Sequence, residues 1–304
     1  MSANKKISSK KISISIVIPC YNEAEGVNDS LEEVYKALRE HDDVEIIAVN
    51  DGSKDKTPAI LDDFANQTPE MHVIHNAANL GYGASLKTGI RKAKGEIIVI
   101  TDADGTYPAS AIPELLEELK ENDMSVGARI GRNVEVPLVR RPAKWVLLCY
   151  ARWMARADIK DLNSGLRAFR KKDVLRFFPL LPDGFSFTST ITLAMHVNGM
   201  RVSYFPINYR KRIGKSSIRP IRDTLAFFSL VLRTTMYFRP LQVFGTLSGF
   251  MLVSAFGIGI LGKTFLGEVP DVATVSLVST SLIFLGLGLI GDLLNVSRKM
   301  IDRS

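Results

Sequence analysis

Two stretches near the C-terminus, residues 240–262 and 272–291, contain no charged side chain. Each is long enough to cross a bilayer core, which takes ~20 residues at ~1.5 Å rise per residue. The linker between them, KTFLGEVPD, is too short for a domain. The pair therefore predicts a transmembrane hairpin, with spans at about 241–262 and 272–294 inside a unit of residues 240–304. Two buried core helices are the competing reading, although uncharged pairs of this length are rare in soluble domains. Arg233 and Arg239 precede the hairpin, and Arg298, Lys299 and Arg303 follow it, whereas the tip has Lys263 against Glu268 and Asp271. The positive-inside rule then puts both termini, and everything ahead of the hairpin, in the cytoplasm. Gly245-x-x-x-Gly249 is a pattern that lets helices approach closely. The preceding segment, residues 221–239, has an apolar stretch flanked by arginines. It reads as a helix lying in the membrane interface or, alternatively, as an ordinary amphipathic core helix.

Residues 1–220 have a different texture. ISISIVIP (12–19), VEIIAVND (44–51), MHVIHN (71–76) and EIIVITDAD (96–104) read as strands. Between them, apolar positions 27, 31, 34 and 38 fall at helical spacing. TPAILDDFANQ (57–67) predicts a helix with Thr57 as N-cap and Pro58 at the first helical position, and GYGASLKTGIRKAKG (81–95) one closed by Gly95. Such alternation defines an α/β domain with a mostly parallel sheet. Ligands of these sheets bind beyond the carboxyl ends of the strands. Pro19-Cys20-Tyr21-Asn22-Glu23, Asn50-Asp51 and Asp102-x-Asp104 all sit at such ends, so three strand ends converge on one crevice.

Charge sorts the chain further. Residues 123–239 hold 22 Lys+Arg against 7 Asp+Glu, while the rest holds 17 against 25. A basic segment of that kind is built to meet anions, whether phosphates, lipid headgroups or nucleic acid. Nucleic-acid readers interleave aromatic and basic residues on a recognisable module, and none is visible, so nucleic acid is not expected as a partner. Cys20 and Cys149 have no metal or disulfide spacing and read as reduced thiols. The four histidines are scattered, and His75, at a strand end, reads as structural.

Two carboxylates side by side are costly unless a cation neutralises them. Hard oxygen donors suit Mg²⁺ or Mn²⁺, and Mg²⁺ takes one or two carboxylates and completes its shell with substrate phosphates. D-x-D at a strand end therefore suggests a metal-bound diphosphate, against the plainer reading of a solvated turn. Five motifs in order, IVIPCYNEAEGV, VNDGSKDKT, NLGYGASLKTGI, DADGTYP and NSGLRAFR, resemble the GT-A glycosyltransferases of family 2, and among them the polyprenyl-phosphate (dolichol-phosphate) sugar synthases. The resemblance covers roughly residues 12–220, and the hairpin is also typical of membrane-anchored members.

It implies a metal-dependent, inverting transfer of one sugar from a UDP- or GDP-hexose to a polyprenyl phosphate. Pro19, Tyr21 and Glu23 would line the nucleotide pocket, and Asp51 would contact the base. Asp102 and Asp104 would hold Mg²⁺ or Mn²⁺ over the diphosphate. Arg129, Ser164 and Arg167 would approach the acceptor phosphate, while Arg210, Arg212 and Lys215 would steady the leaving group. One departure stands out: where the mannose synthases carry Asp-Ala-Asp-Leu-Gln, this chain has Gly105 and Thr106, and a threonine offers only a hydroxyl to a metal.

A phosphate acceptor is already an anion and needs no general base, unlike a sugar hydroxyl. What it needs is arginine, whose planar fork matches phosphate oxygens. Basic residues near a membrane also simply touch anionic lipid, at ~1 kcal/mol each, which is the reading for Arg140, Arg141, Arg152 and Arg156. Two rivals stay open. A processive polysaccharide synthase would carry Gln-x-x-Arg-Trp, and here Arg152-Trp153 follows Cys149 where the glutamine would be. An inactive membrane-anchored anion-binding module is the other, against which the intact Asp51, Asp102 and Asp104 speak. The apolar hairpin faces suit lipid or a second copy of the chain, so a homo-oligomer is compatible with the sequence.

Overall fold

The computed structural model describes residues 13–39, 43–130, 148–149, 151–210, 232, 235–265 and 267–301. The chain divides into two compact units, Met1–Leu225 and Ala226–Ser304.

In the first unit the strands are β1 (Ile14–Cys20), β2 (Val44–Asn50), β3 (Met71–His75), β4 (Ile97–Ile100), β5 (Met124–Ala128), β6 (Arg167–Arg170) and β7 (Val202–Pro206). They form one sheet in the order β3-β2-β1-β4-β6-β5-β7. All pairings are parallel except those of β6, which runs antiparallel between β4 and β5. The mostly parallel α/β sheet is thus as expected, whereas β5, β6 and β7 had not been read as strands. β6 is RAFR, four residues with a charge at each end, which carries almost no strand signal by itself.

β1 and β2 are buried on both faces, as the apolar runs Ile16–Ile18 and Ile46–Val49 require. The helices α1 (Val27–Leu38), α2 (Thr57–Gln67) and α3 (Tyr82–Lys92) connect them. Val27, Leu31, Val34 and Leu38 of α1 are all buried, each worth roughly 1.5–3 kcal/mol of transfer free energy. The two polar intruders in the core, Ser15 and Glu45, satisfy one another. Ser15 Oγ donates to Glu45 Oε1 at 2.6 Å and accepts from Gly95 N at 2.9 Å.

That contact changes the reading of Gly95. The α3 helix stops at Lys92, and Gly95 is instead pressed against β1, where a Cβ would lie 2.7 Å from the Ile14 carbonyl carbon. Thr57 is likewise not an N-cap. Lys56 takes that position, and the Thr57 hydroxyl accepts the amide of Glu23 at 2.9 Å, joining two loops. Three more helices follow: α4 (Ile112–Glu118), α5 (Lys171–Leu175) and α6 (Phe187–Val197).

The second unit holds α7 (Pro240–Phe265) and α8 (Asp271–Ile301). Both are long and apolar enough to cross a membrane. They pack antiparallel along a narrow seam. Ser248 and Ser281 meet at 2.9 Å, Phe244 stacks on Phe284, and Gly288 and Gly291 lie against Leu241 and Pro240. Outside that seam the apolar side chains are exposed, with Val253 at 71%, Phe256 at 66% and Val272 at 84%. A buried soluble pair would hide these faces; exposed apolar faces of this length suit a bilayer or an apolar partner surface. Gly245 and Gly249 face open space, so the G-x-x-x-G pattern does not form the contact between the two helices. Most of 221–239 lies outside the described residues.

Candidate active site

The carboxyl ends of β2, β1 and β4 open at one edge, since Cys20 pairs with Asn50 and Val17 with Ile100. The loops leaving β1 and β2 are zipped together by side chains. Asn22, held at φ 55°, donates its amide to Ser53 Oγ at 3.0 Å and accepts Lys54 N on Oδ1 at 2.8 Å. Glu23 N reaches Thr57 Oγ1 and Ala24 N reaches Asp55 Oδ2 at 3.1 Å. These bonds set the backbone that carries Pro19, Tyr21 and Glu23; Tyr21 is exposed, and the other two are half-buried.

Asp51 is buried. Its Oδ1 accepts Asn76 Nδ2 at 2.8 Å and Leu80 N at 3.0 Å, and its Oδ2 accepts Gly81 N at 2.8 Å. Three of the roughly four acceptor positions of a carboxylate are thereby used on the loop before α3. Gly52, at φ +67°, lets that loop close in, because a Cβ would sit 2.6 Å from the Ala78 carbonyl carbon. Beneath it, Asn50 Nδ2 meets His75 Nδ1 at 3.0 Å and His75 Nε2 meets Asp62 Oδ1 at 3.0 Å. His75 is a structural link here.

Asp102 and Asp104 follow β4. Tyr82 donates its hydroxyl to Asp102 Oδ1 at 2.9 Å. Burial first, and the Asp102 charge second, push the Tyr82 hydroxyl well above its usual range, so it remains a donor. Gly165 lies against the same carboxylate, and a Cβ there would be 2.6 Å from Asp102 Oδ2. The Gly165 amide is held by Tyr107 Oη at 2.7 Å. Tyr107 also contacts Tyr209 edge-on. Asp104 Oδ1 accepts both the Thr106 hydroxyl at 2.6 Å and the Thr106 amide at 3.1 Å.

The arginines are arranged differently. Arg129 makes a fork onto Asp161, Nε to Oδ2 at 2.8 Å and Nη2 to Oδ1 at 2.9 Å, and its guanidinium lies over the Tyr209 ring. Burial would raise the Asp161 carboxyl, but hydrogen bonds from Arg129 and its charge outweigh this and hold it at about 2. Arg210 pairs with Glu33 of α1 at 2.7 and 3.0 Å. Arg167 is fully buried: Nε and Nη2 donate to the Ser164 carbonyl, and Nη1 donates to Thr188 O at 3.0 Å and Thr192 Oγ1 at 2.8 Å. Ser164 is also fully buried, its hydroxyl on Gly127 O at 2.6 Å.

Arg167 and Ser164, expected to approach the acceptor phosphate, are both fully buried here. Arg167 points into the packing against α6, and the Ser164 hydroxyl turns to the Gly127 carbonyl of β5. Arg210 engages Glu33. Arg212 and Lys215 lie outside the described residues, as do Arg140 and Arg141. Sequence reading missed Asp161, Tyr82 and Tyr107. Asp161 carried a signal, as one of 7 acids among 22 bases in residues 123–239 and three places before Ser164. The tyrosines lay inside the motifs NLGYGASLKTGI and DADGTYP, with nothing else to mark them.

Among the described residues no group of three or more His, Cys, Asp or Glu could enclose a metal. Two strand-end carboxylates form a hard, partial donor set, the kind Mg²⁺ or Mn²⁺ takes when substrate phosphates supply the remaining oxygens. The residues present fit such an ion.

A mostly parallel sheet with paired acids at the end of its fourth strand is the GT-A arrangement. Residues 15–178 match the Glycosyl transferase family 2, and the chain belongs to it; it is a glycosyltransferase. An undecaprenyl-phosphate mannosyltransferase of Micrococcus luteus is 30% identical over 212 residues, 66% of this chain and 86% of that one. An undecaprenyl-phosphate 4-deoxy-4-formamido-L-arabinose transferase of Pseudomonas fluorescens is 28% identical over 306 residues, 92% of this chain and 84% of that one. Glucosyl-3-phosphoglycerate synthase from Mycobacterium tuberculosis, in complex with Mn²⁺, uridine diphosphate and glucosyl-3-phosphoglycerate, shares the fold. Its TM-score is 0.54 at 18% identity, over 74% of this chain and 78% of that one.

Proposed function

We propose that this glycosyltransferase moves one sugar from a UDP- or GDP-hexose to a polyprenyl phosphate. The observation that carries the reading is the pairing, in one chain, of an Asp102-x-Asp104 strand end with two helices whose apolar faces are exposed. Both relatives above are named as transferases acting with undecaprenyl phosphate. An acceptor oxygen of the lipid phosphate attacks the anomeric carbon. The bond from that carbon to the donor diphosphate breaks, and the nucleoside diphosphate leaves with both electrons, inverting the anomeric centre. No protein base is required, because the attacking group is already an anion.

In this reading Asp102 and Asp104 hold Mg²⁺ or Mn²⁺, which when bound neutralises the diphosphate. Tyr82 and Gly165 fix the Asp102 carboxylate. The remaining acceptor position of Asp51 takes a base N–H, within walls from Pro19, Tyr21 and Glu23. Arg129, steadied by Asp161, faces the acceptor phosphate, and Arg212 and Lys215 steady the leaving group. Arg167 and Ser164 act from beneath, by holding the loop that bears Gly165. The spans are α7 and α8, with both termini and the catalytic unit on the cytoplasmic side.

The test is transfer of radiolabelled sugar into organic-extractable lipid. Purified full-length protein in detergent receives polyprenyl phosphate, Mn²⁺ or Mg²⁺ and a panel of UDP- and GDP-sugars. Label in the lipid fraction with one donor, lost on chelation, is the expected result. Absence of lipid label with every donor, from folded protein, would overturn the reading.

A further inference from the structure

Thr106 stands where the resemblance leads one to expect a glutamine close to the metal. A glutamine amide could reach an ion as a ligand; a threonine hydroxyl is two atoms shorter. Its geometry here points elsewhere. Thr106 is fully buried, and both its hydroxyl and its amide donate to the same oxygen, Oδ1 of Asp104, at 2.6 and 3.1 Å. Two donors on one oxygen fix the rotation of a carboxylate and so set the direction of the other oxygen. A β-branched side chain suits this task, since its χ1 is stiff. The residue is anchored from the far side too, because its carbonyl accepts Arg210 N at 2.9 Å. Gly105, at φ +70° with open space around it, supplies the turn that folds Thr106 back onto Asp104.

We propose that Thr106 is a positioning residue that orients the Asp104 carboxylate toward the divalent cation, and is not itself a ligand. The inference rests on the reading that Asp104 holds the metal. Partners that orient a ligand typically matter 10–100-fold in metal affinity.

The experiment is Mn²⁺ binding to the full-length protein in detergent, followed by the EPR signal of the free ion, with UDP or GDP present and melting temperature recorded alongside. Thr106→Val should weaken Mn²⁺ by about tenfold, and Thr106→Ser should stay within about threefold of the parent. Thr106→Gln should be as weak as the valine variant, because a long amide cannot make the short bond in a closed slot. Thr106→Ala, which drops the hydroxyl without adding bulk, replaces the valine variant if that one does not fold. Parental affinity in the variant lacking the hydroxyl would overturn the proposal, and so would a glutamine variant that binds as well as or better than the parent, the mark of a ligand. Asp104→Ala binding Mn²⁺ like the parent would instead remove the metal reading itself.

Discussion

The acids and the bases of the first unit are held in opposite ways. Asp51 and Asp104 take hydrogen bonds from backbone amides and uncharged side chains, and Asp102 takes one from the Tyr82 hydroxyl. Such contacts fix the carboxylates in place. Arg129 and Arg210 instead meet carboxylates, Asp161 and Glu33, and Arg167 is wrapped in carbonyls and a hydroxyl. In the proposed function the acidic side receives a cation that arrives with the substrate. The basic side is prepared to hold its own loops, and Arg129 adds a fixed positive group next to Tyr107 and Tyr209.

The largest consequence falls on the acids. Asp104→Asn removes a charge while keeping an acceptor for Thr106, so turnover should fall about 10³-fold, the several kcal/mol a metal supplies, with the melting temperature nearly unchanged. A variant retaining most of its activity would erase the distinction between the two sides. Gly165→Ala drives a methyl into Asp102 Oδ2. Its kcat should drop about 10²-fold, as a displacement near 1 Å can cause, and single-turnover kinetics will read it.

The bases should answer in stability before catalysis. Arg167→Lys keeps the charge and loses the fork onto Ser164 and Thr188, at about 2 kcal/mol in denaturant unfolding. Its KM values for donor and acceptor should move together. A selective rise for the acceptor would return Arg167 to the phosphate. Asp161 predicts a pH dependence. Its folded carboxyl sits at about 2, below the usual value of 3.8. That lowering stabilises the fold above about pH 4, by roughly 2 kcal/mol, and is lost as pH falls toward 2. Unfolding compared at pH 6 and pH 3 should show this loss in the parent and not in Asp161→Asn. The smallest effect belongs to Arg210→Ala, whose exposed pair with Glu33 should contribute under about 1 kcal/mol.

Legibility in the sequence followed the same division. β1, β2, β3 and β4 were readable because their apolar runs end at turn residues, and the strand-end acids were readable because charge at the end of a buried strand has few structural uses. β5, β6 and β7 were not, since short segments such as RAFR draw their strand state from the neighbours they pair with. The setting of Arg167 was not legible for a related reason. A sequence marks Arg167 as basic, but only the fold shows Thr188 and Thr192 closing over it from α6. Thr57 and Gly95 look like helix signals, and each is used instead for a contact with a distant loop or strand. The hairpin was legible from charge alone, and its outward Gly245 and Gly249 were not, because spacing does not say which face of a helix its neighbour takes.

The central claim is that the attacking group is a lipid phosphate, which needs no base from the protein. The most direct measurement is a matched pair of transfer assays, with polyprenyl phosphate in one and the unphosphorylated polyprenol in the other, using the same sugar donor and Mn²⁺. The account predicts labelled lipid with the phosphate and none with the alcohol. Label on the alcohol, or on a saccharide acceptor while the lipid phosphate stays unlabelled, would contradict it.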